Sequence, residues 1–507
     1  MSSTLVYSTL FILSTLLLTL LTRTRRKTRP PGPLALPLIG HLHLLGPKLH
    51  HTFHQFSQRY GPLIQLYLGS VPCVVASTPE LAREFLKTHE LDFSSRKHST
   101  AIDIVTYDSS FAFAPYGPYW KFIKKLCTYE LLGARNLSHF QPIRALEVNS
   151  FLRILYEKTE QKQSVNVTEE LVKLTSNVIS NMMLGIRCSG TEGEAEVART
   201  VIREVTQIFG EFDVSEIVWF CKNLDLQGIR KRSEDIRRRY DALLEKIISD
   251  RERLRLRGGG GGGGGEVKDF LDMLLDVMES EKSEVEFTRE HLKALILDFF
   301  TAGTDTTAIT TEWAIAELIS NPNVLKKAQE EMDKVIGSQR LLQESDAPNL
   351  PYLNAIIKET FRLHPPIPML TRKSISDVVV NGYTIPAKTL LFVNLWSMGR
   401  NPNYWENPME FRPERFLEKG TGSIDVKGQH FELLPFGTGR RGCPGMLLGM
   451  QELFSIIGAM VQCFDWKLPD GVKSVDMTER PGLTAPRAND LVCQLVPRID
   501  PVVVSGP

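Results

Sequence analysis

One segment near the carboxyl end restricts the possible folds more than any other part of this 507-residue chain. It reads Phe436-Gly-Thr-Gly-Arg-Arg-Gly-Cys-Pro-Gly445 and sets Cys443 among glycines and arginines. Glycines let a backbone approach a flat ligand closely, and a thiolate is a soft metal ligand. The apolar stretch Met446–Cys463 follows directly, and a helix beginning there would stabilise a charged sulfur at its amino end. The segment therefore predicts a cysteine that ligates a haem iron.

The other cysteines do not point to chemistry. The seven cysteines lie at positions 73, 127, 188, 221, 443, 463 and 493 and form no C-x-x-C pair. This pattern favours neither a disulfide framework nor a zinc site, so a reducing compartment fits the chain. The formal net charge of +1 also gives no reason to expect a nucleic-acid partner.

The amino terminus has the composition of a membrane anchor. Its first 22 residues contain no charged side chain, and five basic residues follow within Arg23–Arg29. A helix of this length spans the roughly 30 Å hydrocarbon core of a bilayer, and the basic run indicates the cytosolic side. A cleaved signal peptide would carry its positive charge before the apolar run instead. Residues 1–22 are therefore predicted to be a single transmembrane helix.

The rest of the chain is predicted to be cytosolic. Residues 23–40 contain the basic run and prolines at 30, 31, 33 and 37, which favour a stiff hinge, with a disordered linker as the alternative. Residues 41–507 are predicted to form one enzyme domain. Within it, eight consecutive glycines at 258–265 predict a mobile surface loop.

Hydrophobic periodicity predicts a mainly α fold with small β-sheets. Apolar residues recur at three-and-four spacing in Pro79–Glu90, Arg144–Glu160, Ile229–Arg257, Thr288–Ser320, Asn323–Ile336 and Pro351–Leu363. The clearest strand signal is Asp377–Ile385, in which Asn381-Gly382 favours the type I′ turn of a hairpin.

The longest predicted helix has an unfavourable composition at its centre. It contains Ala302-Gly-Thr-Asp-Thr-Thr307, although glycine costs about 1 kcal/mol relative to alanine inside a helix. Gly303 lies on the same face as Thr306 and would open space beside that hydroxyl, while Asp305 is placed to relay protons. Close helix packing at Gly303 is the alternative. Together with Cys443, the cluster favours proton delivery.

Several motifs follow one another in an order that resembles the plant microsomal cytochromes P-450 over essentially the whole chain. They are the anchor with its hinge, Ala302–Thr307, Lys358-Glu-Thr-Phe-Arg362, Pro413-Glu-Arg-Phe416 and Phe436–Gly445. The resemblance implies the haem-thiolate P-450 fold and a monooxygenase that uses haem b, O2 and NADPH. It also implies electrons from NADPH-cytochrome P-450 reductase and a place in the endoplasmic reticulum membrane.

The same resemblance assigns roles to individual residues. The implied haem-binding set is Cys443, Phe436, Gly439, Arg441, Gly445, Trp120, Lys124 and Arg372. Cys443 is the iron ligand, Gly439 and Gly445 permit the turn, and Arg441 and Arg372 are implied partners of the propionates. Lys124 stands where the family usually has arginine. Lysine lacks the planar guanidinium that makes a bidentate contact with a haem propionate.

Three further groups have implied roles. Asp305 and Thr306 match the acid and alcohol that deliver protons during oxygen activation. Glu359, Arg362 and Arg415 match a buried structural triad, although a Glu–Arg pair three residues apart is usually exposed and contributes little. A basic docking face for the reductase is formed in this interpretation by Lys121, Lys124, Lys125, Arg440 and Arg441, with ordinary solvated charge as the alternative.

The predicted substrate pocket is apolar or weakly polar, which fits a flat hydrophobic molecule. Its predicted lining residues are Phe299, Ala302, Ile367, Thr371, Leu483 and Thr484. The runs Gly428–Leu434 and Glu479–Arg487 resemble the flavonoid branch of the family, and flavone synthase II most closely. Isoflavonoid-forming relatives typically have serine at the position of Thr306 and lysine at that of Thr371, which speaks against aryl migration.

The resemblance therefore implies conversion of flavanones such as naringenin to flavones such as apigenin, by desaturation of the C2–C3 bond. A flavanone 2-hydroxylase, or another flavonoid or isoflavonoid hydroxylase, is the nearest alternative. A membrane-tethered binding protein without turnover is the alternative from a different class.

Overall fold

The computed structural model describes residues 7–9, 14, 29–187, 194–211, 213–218, 221, 224–257, 268–280, 284–418 and 420–505. The predicted anchor at 1–22 lies outside these ranges except for four helical positions, and the glycine run at 258–265 lies outside them entirely. The chain divides into two compact units. The smaller unit comprises residues 1–97, 213–226 and 369–398, and the larger unit comprises 98–212, 227–368 and 399–507.

Helices make up most of the described chain, and most of them belong to the larger unit. The first nine are α1 (Leu49–Tyr60), α2 (Pro79–Arg83), α3 (Thr100–Val105), α4 (Pro118–Lys125), α5 (Ala134–His139), α6 (Gln141–Glu160), α7 (Val167–Leu184), α8 (Glu194–Gly210) and α9 (Val214–Ile217). The others are α10 (Ile229–Leu256), α11 (Phe270–Glu279), α12 (Arg289–Ser320), α13 (Pro322–Val335), α14 (Pro351–Leu363), α15 (Leu395–Met398), α16 (Met446–Cys463) and α17 (Val502–Ser505).

The strands form three small sheets. They are β1 (Leu63–Leu68), β2 (Val71–Ala76), β3 (Val165–Asn166), β4 (Met369–Lys373), β5 (Val378–Val380), β6 (Tyr383–Ile385), β7 (Leu390–Asn394), β8 (Phe464–Lys467) and β9 (Val492–Pro497). The smaller unit contains a sheet of order β1-β2-β7-β4, in which only the β2–β7 pair is parallel, and the hairpin β5–β6. The larger unit contains the antiparallel sheet β3-β9-β8.

Most of the predicted elements are present, and the mainly helical fold class is confirmed. Thr288 caps α12 by accepting a hydrogen bond from the backbone N–H of His291, so this helix begins at the expected residue. Asn381 and Gly382 have φ angles of +50° and +77°, as a type I′ turn requires. The prediction for Pro79–Glu90 was wrong in one respect, because the α-helix ends at Arg83 and a π-helical stretch, Glu84–Thr88, continues it.

The described end of the predicted hinge is fastened to β1. The backbone N–H of Gln65 donates to the carbonyl oxygen of Pro31 at 2.8 Å, and the N–H of His41 donates to that of Tyr67 at 2.8 Å. A side chain at Gly32 would lie 2.2 Å from the carbonyl oxygen of Gln65, so only glycine fits there. Residues 31–41 therefore pack on the sheet instead of forming a free linker.

Two long helices provide the frame of the larger unit. Helix α12 is buried over most of its 32 residues. Among the described helices only α16 is long and apolar enough to cross a membrane, but 67% of it is buried inside the protein, as expected of a core helix. These two helices carry the sequence motifs on which the site is built.

Candidate active site

The loop that contains Cys443 is closed by its own backbone. The N–H of Cys443 donates to the carbonyl oxygen of Phe436 at 2.8 Å, and α16 begins three residues later. Gly437 and Gly439 have φ angles of +67° and +66°, in the left-handed region that favours glycine. Gly439 thus has the predicted turn geometry, and Gly437 is a second such position that the sequence did not reveal.

Gly445 does not need the conformational freedom expected of it. Its φ angle is −87°, which other residues adopt readily, and it serves as the residue before the first turn of α16. A side chain there would lie 3.8 Å from the sulfur of Cys443, an ordinary contact. At Gly449, one turn into α16, an added Cβ would lie 3.5 Å from the ring of Phe436. The aromatic ring of Phe436 thus packs against the first turn of α16.

Cys443 differs from the other cysteines in its exposure. Among the cysteines that the structure describes, Cys443 is exposed and the other five are buried. Burial raises the pKa of the Cys73, Cys463 and Cys493 thiols to about 12, so these sulfurs remain neutral and cannot serve as thiolate ligands. An exposed sulfur in a glycine-rich loop at a helix amino terminus fits axial ligation of a haem.

Basic and aromatic side chains from α4 converge on the same loop. The guanidinium of Arg441 lies 4.7 Å from the ring centroid of Trp120 and donates to the carbonyl oxygen of Ala114 at 2.5 Å. The ammonium of Lys124 donates to the carbonyl oxygen of Gly442 at 2.6 Å. The structure therefore brings together three residues of the predicted haem-binding set, and it also shows Lys124 bonded to the backbone of the cysteine loop.

The predicted docking face loses two members, Lys124 and Arg441. Lys124 is half-buried, and its ammonium is bonded to the carbonyl oxygen of Gly442. Arg441 is 8% exposed and directed into the protein, whereas Lys121, Lys125 and Arg440 are exposed. Arg441 is consequently suited to an anionic group inside the protein, such as a haem propionate, and not to a protein partner. Arg372 lies in the smaller unit, where it is buried on β4 and donates to the carbonyl oxygen of Thr371 at 2.8 Å.

The acid and the alcohol of α12 occupy consecutive positions in its middle. The Thr306 hydroxyl donates to the carbonyl oxygen of Ala302 at 2.7 Å and keeps its lone pairs available. Ala302 is exposed, which is unusual on a helix that is otherwise largely buried. Burial raises the pKa of the Asp305 carboxyl above its usual range, while a hydrogen bond with Thr206 and the charge of Arg203 lower it. Asp305 therefore releases its proton at a higher pH than an exposed aspartate does.

The predicted role of Gly303 was wrong. An added Cβ at this position would lie 2.6 Å from Cδ1 of Ile179, so the glycine permits close packing between α12 and α7. It does not open space beside the Thr306 hydroxyl. The small residue that lies one turn before Thr306 and is exposed is Ala302.

The buried carboxyl of Glu452 connects the helix that carries Asp305 and Thr306 to the helix that follows Cys443. The Thr307 hydroxyl donates to Oε2 of Glu452 at 3.1 Å, and so links α12 to α16, the helix that follows Cys443. Glu452 is 3% exposed, and burial raises the pKa of its carboxyl to about 8. The Thr307 hydrogen bond and the charge of Arg144 act in the opposite direction.

This carboxyl gives the protein a specific pH dependence. An unfolded glutamate ionises near pH 4.5, whereas Glu452 in the folded protein stays protonated to about 8. Because the folded state binds the extra proton between these values, the free energy of unfolding decreases as the pH rises through this window. Glu452→Gln keeps an oxygen acceptor for Thr307 but has no proton to release. We expect the free energy of unfolding of this variant to decrease less as the pH rises, and thermal unfolding measured between about pH 5 and pH 8 checks this. An unchanged pH dependence would contradict the assignment.

The predicted structural triad is buried and fully connected. The Arg362 guanidinium makes a bidentate contact with the Glu359 carboxylate at 2.7 Å for both bonds, and Nε of Arg415 donates to Oε1 of the same carboxylate at 3.0 Å. All three residues are at most 2% exposed. Arg362 also donates to the carbonyl oxygens of Gly399, Pro408 and Glu410. The triad therefore fixes the loop 399–415 on α14.

The predicted pocket residues of the larger unit lie on three segments. Phe299 is half-buried on α12, with its ring 5.7 Å from that of Phe270. Ile367 follows α14, and Leu483 and Thr484 lie in a loop near the carboxyl end, where Leu483 is 43% exposed. Thr371 belongs to β4 of the smaller unit.

Asp298 is a site residue that the sequence did not reveal. Its carboxylate accepts hydrogen bonds from the Ser110 hydroxyl and from the backbone N–H of Phe111, both at 2.7 Å. It thereby fastens the loop between α3 and α4 to α12, one residue before the predicted pocket residue Phe299. The available signal was an acid within the apolar stretch Leu292–Phe300.

Comparisons with known proteins agree with this site. A family model described as cytochrome P450 matches residues 30–494. The chain is 62% identical to cytochrome P450 93B2 of Gerbera hybrida, over 94% of this chain and 93% of that protein. It is 48% identical to 3,9-dihydroxypterocarpan 6A-monooxygenase of Glycine max, over 94% of each chain. It is 46% identical to 2-hydroxyisoflavanone synthase of Glycyrrhiza echinata, over 94% of this chain and 92% of that protein.

The fold also matches solved structures. A zebrafish cytochrome P450 determined with progesterone has a TM-score of 0.76 at 28% identity, covering 89% of this chain and all of that chain. A second structure, with abiraterone, has a TM-score of 0.73 at 27% identity, covering 89% of this chain and 99% of that chain. The chain therefore belongs to the cytochrome P450 family, as a haem-thiolate monooxygenase that uses O2 and electrons from a reductase.

Proposed function

We propose that this protein oxidises flavanones to flavones, with naringenin and apigenin as a representative pair. The observation that carries the proposal is the combination of an exposed Cys443 in its glycine-rich loop with Asp305 and Thr306 in the middle of α12. The substrate class is supported by relatives whose names refer to pterocarpan and isoflavanone molecules, which are built on related ring systems. Thr306 and Thr371 favour desaturation over aryl migration.

The reaction balances with the reagents of the family. One flavanone, O2, NADPH and a proton give one flavone, NADP+ and two molecules of water. The flavanone loses the hydrogen at C2 and one hydrogen at C3, and the C2–C3 single bond becomes a double bond. A thiolate-ligated haem supplies the oxidising power for the first of these steps when it is bound.

The side chains of this protein hold the haem, the substrate and the protons in this scheme. Cys443 would ligate the iron of a bound haem, and Arg441 and Lys124 would neutralise its propionates. The Thr306 hydroxyl, fixed by its bond to the carbonyl oxygen of Ala302, would pass protons toward O2. Asp305 would replenish them, because burial raises the pKa of its carboxyl above the usual range. The apolar pocket residues bind the flat flavanone skeleton.

Membership of the family supports a proposal for the partner and for the location. We propose that Lys121, Lys125 and Arg440 form the contact with an acidic surface of NADPH-cytochrome P-450 reductase. We also propose that residues 1–22 anchor the protein in the endoplasmic reticulum membrane with the catalytic part in the cytosol.

Thr306→Ala should uncouple NADPH consumption from product formation. Without the hydroxyl, proton delivery becomes slower and more of the reduced oxygen leaves as hydrogen peroxide, so we expect product per NADPH to fall roughly tenfold or more. The measurement is peroxide and flavone formed per NADPH in reconstituted membranes. Thr301→Ala is the matched control, because the Thr301 hydroxyl makes the same type of bond, to the carbonyl oxygen of Leu297 at 2.9 Å. Equal coupling in both variants would remove the proton-delivery role.

The proposed activity is tested directly by product analysis. Microsomes that contain this protein and the reductase should convert naringenin to apigenin when NADPH is supplied. Unchanged naringenin would refute the substrate assignment, and accumulation of 2-hydroxynaringenin would favour a flavanone 2-hydroxylase. If the reduced, carbon-monoxide-bound protein also lacked the absorption band of thiolate-ligated haem, a binding protein without turnover would be the better description.

A further inference from the structure

A hairpin loop carries two of the predicted pocket residues on its tip. A backbone bridge pairs Glu479 with Arg487, and the N–H of Arg480 donates to the carbonyl oxygen of Pro486 at 2.9 Å. Leu483 and Thr484 follow Gly482 at the turn. A side chain at Gly482 would lie 3.0 Å from the carbonyl oxygen of Thr484, so the turn is tight.

The return arm of this hairpin is fastened to α12 at alternate residues. Arg487 contacts the Glu312 carboxylate at 3.2 Å, and the indole N–H of Trp313 donates to the carbonyl oxygen of Ala485 at 2.9 Å. Glu312 and Trp313 are consecutive on α12. The Ala485 bond is the nearer of the two to the tip, so it controls the position of the adjacent Thr484 most directly.

Trp313 is itself held in one orientation. Its ring stacks on that of His364, with the centroids 4.0 Å apart and the planes 7° from parallel. Nε2 of His364 lies 2.7 Å from Oε1 of Glu317, one turn along α12 from Trp313. Trp313 is 0% exposed, so its indole N–H has no water to bond with if the Ala485 carbonyl moves away. The direction of the N–H is therefore fixed by the surrounding side chains.

Ala485 also connects the hairpin to another predicted pocket segment. Its backbone N–H donates to the carbonyl oxygen of Pro366 at 2.9 Å, directly before Ile367. Both polar backbone groups of Ala485 are thus used, and the residue is 3% exposed. Through Trp313 this junction is tied to the helix that carries Thr306, seven residues earlier. Seven helical residues correspond to about 10.5 Å along a rigid axis.

We propose that Trp313, aligned by His364, is a positioning residue that fixes Leu483 and Thr484 and thereby sets the balance between flavone and 2-hydroxyflavanone. Trp313 acts through the Ala485 carbonyl and does not contact the reacting atoms. The inference rests on the proposed function, because the two products are those of flavanone oxidation. A substrate held less firmly at C2 and C3 is expected to lose the second hydrogen less often.

Trp313→Phe tests the inference, since it keeps an aromatic ring against His364 and removes the N–H. We expect the ratio of apigenin to 2-hydroxynaringenin to fall by roughly fivefold, because the loss of one hydrogen bond typically changes an equilibrium or a rate by about this factor. Amide hydrogen exchange of the segment 483–487 should become faster in the haem-loaded variant. Trp466→Phe is the matched control, because the Trp466 indole also donates from a buried position to a backbone carbonyl, that of Met460 at 3.3 Å.

An unchanged product ratio in Trp313→Phe, with haem incorporated normally, would overturn the inference, as would an equal change in Trp466→Phe. If Trp313→Phe does not yield haem-loaded protein, His364→Phe keeps a ring against Trp313 but loses the bond to Glu317. A wild-type ratio and wild-type exchange in that variant would also overturn it. If the wild-type protein leaves naringenin unchanged, the proposed function fails. The positioning role is then decided separately, by comparing hydrogen exchange and peroxide release per NADPH between the wild-type protein and Trp313→Phe.

Discussion

Replacing Cys443 with serine should abolish product formation and shift the absorption band of the reduced carbon-monoxide complex away from the position of thiolate-ligated haem. A serine oxygen is a harder and much less polarisable donor than a thiolate, and it does not supply the electron density that promotes O–O cleavage. The effect should be on chemistry and not on folding, because serine differs from cysteine by a single atom and the loop is closed by the backbone bond between Cys443 and Phe436. The measurement is the difference spectrum together with flavone formation.

Cys463→Ala is the control for this substitution. Cys463 ends α16, the same helix that begins after the cysteine loop, and burial raises the pKa of its thiol to about 12. Its loss should reduce stability modestly through a small cavity, while the absorption band keeps its wild-type position. A retained thiolate-type band in Cys443→Ser, or a lost one in Cys463→Ala, would show that the ligand had been assigned to the wrong sulfur.

Glu359→Ala should prevent accumulation of folded, haem-loaded protein. The substitution leaves the guanidinium groups of Arg362 and Arg415 buried without their carboxylate, and breaking a buried pair in this way typically costs about 3–5 kcal/mol. That is a large part of the roughly 5–15 kcal/mol by which proteins are stable. The lost contacts also hold the loop 399–415. The measurement is the yield of haem-loaded protein and its thermal unfolding.

A surface pair is the appropriate comparison. Lys326 and Glu330 are separated by 3.9 Å on α13, and both side chains are more than 60% exposed. Glu330→Ala should change the free energy of unfolding by no more than about 0.5 kcal/mol, since exposed pairs contribute little. If Glu359→Ala were tolerated as well as Glu330→Ala, the triad would not have the structural role inferred from its burial.

Local signals accounted for the elements that the sequence predicted well. Helix α14 begins with Pro351 and ends at Leu363, shortly before two consecutive prolines. Proline favours the first position of a helix and cannot continue one, so both boundaries could be predicted from the sequence. The turn at Asn381-Gly382 is likewise determined by residues that adopt positive φ. The cysteine loop was recognisable because it concentrates glycine and arginine around one thiol.

Long-range packing accounted for what the sequence could not decide. Whether Glu359 and Arg362 were exposed or buried depends on the loop 399–415, which lies dozens of residues away in the sequence. The function of Gly303 depends on Ile179 in another helix, and Asp298 was visible only as an acid in an apolar stretch. The contact between Trp313 and Ala485 joins residues 172 positions apart. No local pattern encodes such contacts.

The most direct test of the account is the mass and structure of the product formed from naringenin that carries deuterium at C2. The central claim is that oxidation removes the hydrogen at C2 and leaves the aryl ring there, so the predicted product is apigenin that has lost the deuterium. Aryl migration from C2 to C3 would instead give an isoflavonoid in which the deuterium remains at C2. A product of that second kind would contradict the account, because it would mean that Thr306 and Thr371 do not direct the reaction toward the flavone.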